Sequence, residues 1–125
     1  MSEATPSRLG FLGTGTIASA IVDGLSALPG HNIQACLSPR NAQVAARLKA
    51  AHPHVTVAQS NQEMIDRSDI IFLAIRPQVA SEVLSGLRFR ADQRIISLIA
   101  TFSQADILAR VHPAMTVTCA VPLPT

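Results

Sequence analysis

The residues Gly13-Thr14-Gly15-Thr16-Ile17-Ala18 follow the spacing Gly-x-Gly-x-x-Ala. Between a strand and a helix these residue types do one job. The first glycine permits a tight turn, and the second lets the backbone approach a pyrophosphate with no side chain in the way. The small sixth residue lets the helix pack closely on the strand. Bound phosphates then meet the positive end of that helix and its free amide groups. As six letters alone the motif is weak, because glycine-rich turns are common; its position carries it. It follows an apolar run at residues 8–12, opens a helical pattern, and begins a chain of alternating strands and helices. The competing reading is an ordinary tight turn.

The second chemical feature is a missing acid. A domain that holds the free 2′-hydroxyl of NAD usually places Asp or Glu at the end of its second strand, about 20 residues after the glycines. Between Asp23 and Glu63 this chain has no acidic residue, and the second strand runs out into Leu37-Ser38-Pro39-Arg40-Asn41. A 2′-phosphate would be repelled by a carboxylate, whereas the Ser38 hydroxyl and the Arg40 guanidinium can both donate to it. The cofactor expected is therefore NADP. The blander reading is that Ser38 or Asn41 only caps the second helix and Arg40 points into solvent.

The elements that must position these residues follow from the pattern of the chain. Short apolar, β-branched runs predict strands at residues 8–12, 33–37, 55–58, 70–73, 94–98 and 115–119. The run Ile70-Ile71-Phe72-Leu73 has no polar alternation, as expected of a central parallel strand buried on both faces. Helices are predicted at 17–27, 41–51, from Ser60, at 79–84 and from Ser103 to about Val111. Ser60-Asn61-Gln62-Glu63 and Ser103-Gln104-Ala105-Asp106 have the form of capping boxes, and Pro77 punctuates the link before the fourth helix. The fold class is α/β: a Rossmann-type, doubly wound, mainly parallel six-stranded sheet with helices on both faces. Residues 1–7 read as a tail and 8–125 as one domain; the prolines of Val121-Pro122-Leu123-Pro124-Thr125 read as its exit.

Composition removes several function classes. Hydrophobic residues at 48% against 14% charged exclude a disordered chain, and no apolar stretch reaches the roughly 20 residues of a membrane span. The start lacks the layout of a secretory signal, so a cytoplasmic setting is expected. A net charge of +2, with no Trp, Tyr or basic run, gives nucleic acid nothing to stack on or track. The histidines His31, His52, His54 and His112 are scattered and read as surface residues, so no metal site is expected. Cys36 and Cys119 read as reduced core residues. In the usual strand order they lie four spacings apart, about 19 Å, too far for a disulfide.

The fingerprint extended through Gly24, the Ser38-Pro39-Arg40 loop, Asn61, Ala74-Ile75-Arg76-Pro77-Gln78 and Ser97-Leu98-Ile99-Ala100 together resemble the pyrroline-5-carboxylate reductase family, in its order and spacing. The basic-Pro-Gln segment at Arg76 is the most specific element. The resemblance implies hydride transfer from NADPH to a cyclic imine. By motif it places Gly13, Gly15, Thr16 and Ile17 at the pyrophosphate, Ser38 and Arg40 at the 2′-phosphate, and Asn61 at the adenosine end. Ile75, Arg76 and Pro77 would line the nicotinamide side with Ile99 and Ala100, and Thr14 and Ala74 complete the cofactor set.

Two segments depart from the family pattern. Ala100-Thr101 stands where the family has Ala-Gly, and Leu123 stands where it has Asn, so a different imine is an alternative. The family also builds its substrate pocket and dimer from a helical C-terminal domain that these residues do not include. No catalytic proton donor can be named: Thr101 and Thr125 are hydroxyls near the right edge and read as plain loop residues. The expectation is a domain that binds NADP and turns over poorly or not at all alone, within a homo-oligomeric parent. The alternatives in other classes are the Rossmann half of a deazaflavin-dependent NADP reductase and a nucleotide-sensing module without chemistry.

Overall fold

The computed structural model describes residues 7–13, 16–30, 33–39, 42–114 and 116–120. Strands and helices alternate throughout: β1 (Ser7–Leu12), α1 (Thr16–Ser26), β2 (Ile33–Leu37), α2 (Ala42–Ala51), β3 (Val55–Val57), α3 (Asn61–Asp66), β4 (Ile70–Leu73), α4 (Pro77–Ser85), β5 (Arg94–Ser97), α5 (Gln104–Val111) and β6 (Thr116–Cys119). The six strands form one sheet in the order β3-β2-β1-β4-β5-β6, and every neighbouring pair is parallel. This is the doubly wound order, with its switch point between β1 and β4.

The register sorts side chains onto two faces. Leu9, Phe11, Ala35, Leu37 and Val55 meet Ala18 and Val22 of α1 and Ala45 and Leu48 of α2. Leu12, Ile71, Leu73, Ile95 and Val117 meet residues of α3, α4 and α5, among them Met64, Ala80, Leu84 and Ile107. The expectation that β4 is buried on both faces holds for only one: Ile71 and Leu73 are buried, whereas Ile70 and Phe72 are half-buried. The helices on their side are α1 and α2, which serve mainly the β1–β3 half of the sheet. Phe72 stacks on Phe11 of the adjacent strand, with ring centroids 4.7 Å apart and planes 6° from parallel.

Two residues without an obvious sequence signal shape the second face. A Cβ on Gly10 would stand 2.6 Å from Met64 Sδ, so α3 packs against β1 only because residue 10 has no side chain. Gln93 is a polar side chain in the core, 1% exposed. Its amide nitrogen donates to Ile65 O at 2.7 Å and Ser68 O at 2.9 Å, and its oxygen accepts from Arg90 N at 2.8 Å. It thereby satisfies carbonyls at the end of α3 where water cannot reach.

Several boundaries and environments differ from the sequence reading. β1 takes in Ser7, helix α4 begins at Pro77 rather than Val79, and Pro77 is its first residue, where the missing N–H costs nothing. Ser103 and Asp106 close a full capping box. At Ser60 the hydroxyl accepts from Glu63 N, but the Glu63 carboxylate accepts from Gln59 N, one residue before the cap. Cys119 is exposed rather than in the core, because β6 is an edge strand. His52 and His54 are half-buried rather than surface residues: His52 Nε2 lies 2.7 Å from Asp23 Oδ1, and His54 Nε2 lies 2.8 Å from Ser26 Oγ. These contacts tie the end of α1 to the turn before β3. His31, Asn41, Met115 and residues 121–125 lie outside the described residues.

Replacing Gln93 with Leu keeps the volume but strips donors from two buried carbonyls and an acceptor from Arg90 N. Urea denaturation should show a loss of about 1–3 kcal/mol; an unchanged midpoint would mean the amide is dispensable.

Candidate dinucleotide site

In a parallel sheet all strands point the same way, so the loops leaving their carboxyl ends meet along one edge. β1 delivers Gly13 there, β2 delivers Ser38, β3 leads to Asn61, β4 to Ala74, Ile75, Arg76 and Pro77, and β5 to Ile99 and Ala100. The ladder continues into these loops: Ser38 N donates to Phe11 O at 3.0 Å, Ala74 N to Leu12 O at 2.8 Å, and Leu98 N to Leu73 O at 2.9 Å.

Gly13 is required twice over. Its φ is +92°, in the region that favours glycine, and a Cβ there would lie 2.5 Å from Ala74 O and 2.9 Å from Ala74 C. The turn after β1 is thus packed onto the backbone of the loop after β4. Its amide is held from the other side, because Gly13 N donates to Ser38 Oγ at 3.0 Å. Ser38 is fully buried, so the oxygen read from sequence as addressing a phosphate is engaged with the glycine turn. Thr14, Gly15 and Arg40 lie outside the described residues, as does the side chain of Thr16.

Helix α1 opens at Thr16, and its first turn carries no acidic residue; the same holds for α2 and α4. Three helix starts therefore turn positive dipole ends toward this edge with no acidic residue in the first turn. The two carboxylates in first turns, Glu63 and Asp106, are occupied by backbone amides. The backbone amide of Ser103, with its hydroxyl, holds the Asp106 carboxyl below the ordinary carboxylate range. Ile17 is 41% exposed, an uncommon apolar surface at the start of α1. Asn61 is half-buried at the first position of α3. Arg76 is the exposed cap residue of α4, with extended backbone and no side-chain cap bond, and Ile99 is buried behind Ala100.

Thr101 sits next on this edge with φ +70°, the only positive φ of a non-glycine residue among those described. A β-branched side chain there is strained. This is the position where the sequence departs from the Ala-Gly pattern of the family it resembles: the backbone keeps the glycine conformation although the residue has changed.

A family model described as NADP oxidoreductase, coenzyme F420-dependent, matches residues 8–101. The chain belongs to this family. Among curated proteins it is 30% identical over 110 residues to the pyrroline-5-carboxylate reductase of Pseudomonas aeruginosa, covering 85% of this chain and 39% of that protein. To the pyrroline-5-carboxylate reductase of Escherichia coli it is 32% identical over 111 residues, covering 82% and 39%. The solved structure of 1-pyrroline-5-carboxylate reductase from Streptococcus pyogenes superposes with a TM-score of 0.79 at 29% identity, over 95% of this chain and 44% of that one. The chain is thus the NADP-binding domain of a pyrroline-5-carboxylate reductase-like protein, and it spans about two fifths of the length of these curated relatives. Among the described residues no helix is long and apolar enough to cross a membrane, and no group of His, Cys, Asp and Glu could hold a metal ion.

Thr101→Gly should relieve the backbone strain at this edge. The expected gain is about 1 kcal/mol, or roughly 3–6 °C in melting temperature; calorimetry showing no gain would mean the loop holds Thr101 without cost.

Proposed function

We propose that this domain binds NADPH along the carboxyl edge of its sheet and positions the nicotinamide for reduction of a cyclic imine of the pyrroline-5-carboxylate type. The observation that carries the reading is the Gly13 turn, packed on Ala74 and bonded to Ser38, at the start of a helix with no acid in its first turn. The residues present fit the cofactor. Gly15, Thr16 and Ile17 hold the pyrophosphate with backbone amides, Gly13 gives the turn its close approach with its own amide on Ser38, and Thr14 completes the turn. Arg40 binds the 2′-phosphate, with Ser38 setting the loop from beneath. Asn61 meets the adenosine end. Ala74, Ile75, Arg76 and Pro77, with Ile99 and Ala100, form the wall on the nicotinamide side, and their apolar surfaces keep water from the reacting ring. NADPH, when bound, supplies the hydride.

The proton for the imine nitrogen has no donor in this set. We infer that the chain alone binds cofactor without efficient turnover, and that the complete protein works as a homo-oligomer in the cytoplasm. The family description, which names coenzyme F420, favours a second reading in which the hydride passes to a deazaflavin; the curated relatives weigh toward the imine.

Cofactor fluorescence titration tests the assignment, and the absence of Trp keeps the protein background low. NADPH should bind at least roughly tenfold more tightly than NADH, and Arg40→Ala should remove the difference, since one charge-assisted contact is worth about 1.5–3 kcal/mol. Equal binding of both coenzymes by the unaltered chain would contradict it.

A further inference from the structure

The opposite end of the sheet carries a second concavity. A cavity of about 330 Å³ lies at the amino ends of β1, β2 and β3, bordered by Arg8, Gln34, Cys36, His54, Thr56 and Arg67. Five residue steps along β1 separate Arg8 from Gly13, roughly 16 Å at strand rise, so this is not the cofactor edge. The cavity exists because α3 is short: it packs on β1 at Gly10 and ends at Arg67, leaving Gln34 and Thr56 exposed on that side of the sheet.

Its lining is cationic, with Cys36 and Pro53 as the apolar part, while the side chains of Leu9 and Ala35 pack on the opposite face of the sheet. Arg8 is fixed by a two-pronged contact, Nε to Asp69 Oδ2 at 3.0 Å and Nη2 to Asp69 Oδ1 at 2.8 Å, which leaves its remaining donors for another acceptor. The same carboxylate also lies 3.6 Å from Arg90, whose Nε is held by Asp92 at 3.2 Å. Arg67 has no carboxylate in ion-pair distance among the described residues. Burial pushes the nearby Cys36 thiol up, against the opposing effect of Thr56 and Arg67, so it does not offset the charge. Glu63, also near that thiol, has its carboxylate engaged with the Gln59 amide.

We propose that this cavity binds a small oxyanion-bearing molecule, a carboxylate or a phosphate ester with a short body, through Arg67 as the main cation and Arg8 as the second. The volume lies at the lower end of small-ligand pockets, about 300–1,000 Å³, and exceeds what a lone ion needs. Gln34 and Thr56 supply neutral hydrogen-bonding groups beside the two arginines, and Pro53 offers apolar surface to the body of the ligand.

Amide NMR of the ¹⁵N-labelled chain tests the site, with inorganic phosphate, glutarate and the neutral glutaramide as probes at matched ionic strength. Saturable shifts at Gln34, Cys36, Thr56 and Arg67 are expected with phosphate, glutarate or both, at a Kd of order 1 mM, and not with glutaramide. A response to phosphate alone assigns the phosphate-ester class, and to glutarate alone the carboxylate class. Arg67→Gln should weaken binding at least roughly tenfold while its spectrum stays that of the folded chain, and Arg67→Lys should fall between. The shifts should persist with NADPH present. No saturable response to either anion, an equal response to glutaramide, full binding by Arg67→Gln, or displacement by NADPH would each overturn the proposal.

Discussion

Everything at the cofactor edge depends on how closely two loops approach each other. The turn after β1 rests on the backbone of the loop after β4, a contact that leaves no room for a Cβ at residue 13. The Gly13 amide would otherwise be a buried donor without a partner, and the Ser38 hydroxyl takes it. Three strand ends are thus locked at the switch point of the sheet, where the diverging crossovers open a crevice. The loop from Ala74 to Pro77 and the end of β2 at Ser38 meet the glycine turn at this junction.

The sheet divides its labour between its ends and its faces. One core, built from α1 and α2, backs the fingerprint; the other, built from α3, α4 and α5, backs the loops after β4 and β5. Small and polar residues set the distances between these parts. Gly10 lets α3 lie on β1, Gln93 closes the end of that helix, and Arg8 with Asp69 joins the starts of β1 and β4. The shortness of α3 has the further effect of leaving the amino ends of β2 and β3 open beside two arginines.

Strands and helices were legible because their periodicities differ and because glycines, prolines and capping serines mark the joints; all six strands and the parallel order agree with the reading. The glycine turn was legible for the same reason, since only glycine tolerates the conformation found at residue 13. What sequence could not show was which partner a polar group would choose. Ser38 read as a phosphate ligand, and its oxygen also accepts from the Gly13 amide; His52 and His54 looked like surface residues and instead join α1 to the turn before β3. The departure at Thr101 was visible, but its meaning, a retained left-handed backbone, needed the fold. Gln93 and Gly10 had no local pattern, because their roles depend on residues about 25 and 54 positions away.

The central claim is that Ser38 acts on the cofactor through Gly13. Measuring both NADPH and NADH affinity of folded Ser38→Ala tests it most directly. Removing the acceptor from a buried amide should weaken both coenzymes by the same factor, roughly tenfold, because the pyrophosphate seat they share is disturbed. A loss confined to NADPH would show that the hydroxyl addresses the 2′-phosphate itself, and no loss for either would show that the glycine turn holds its shape without Ser38.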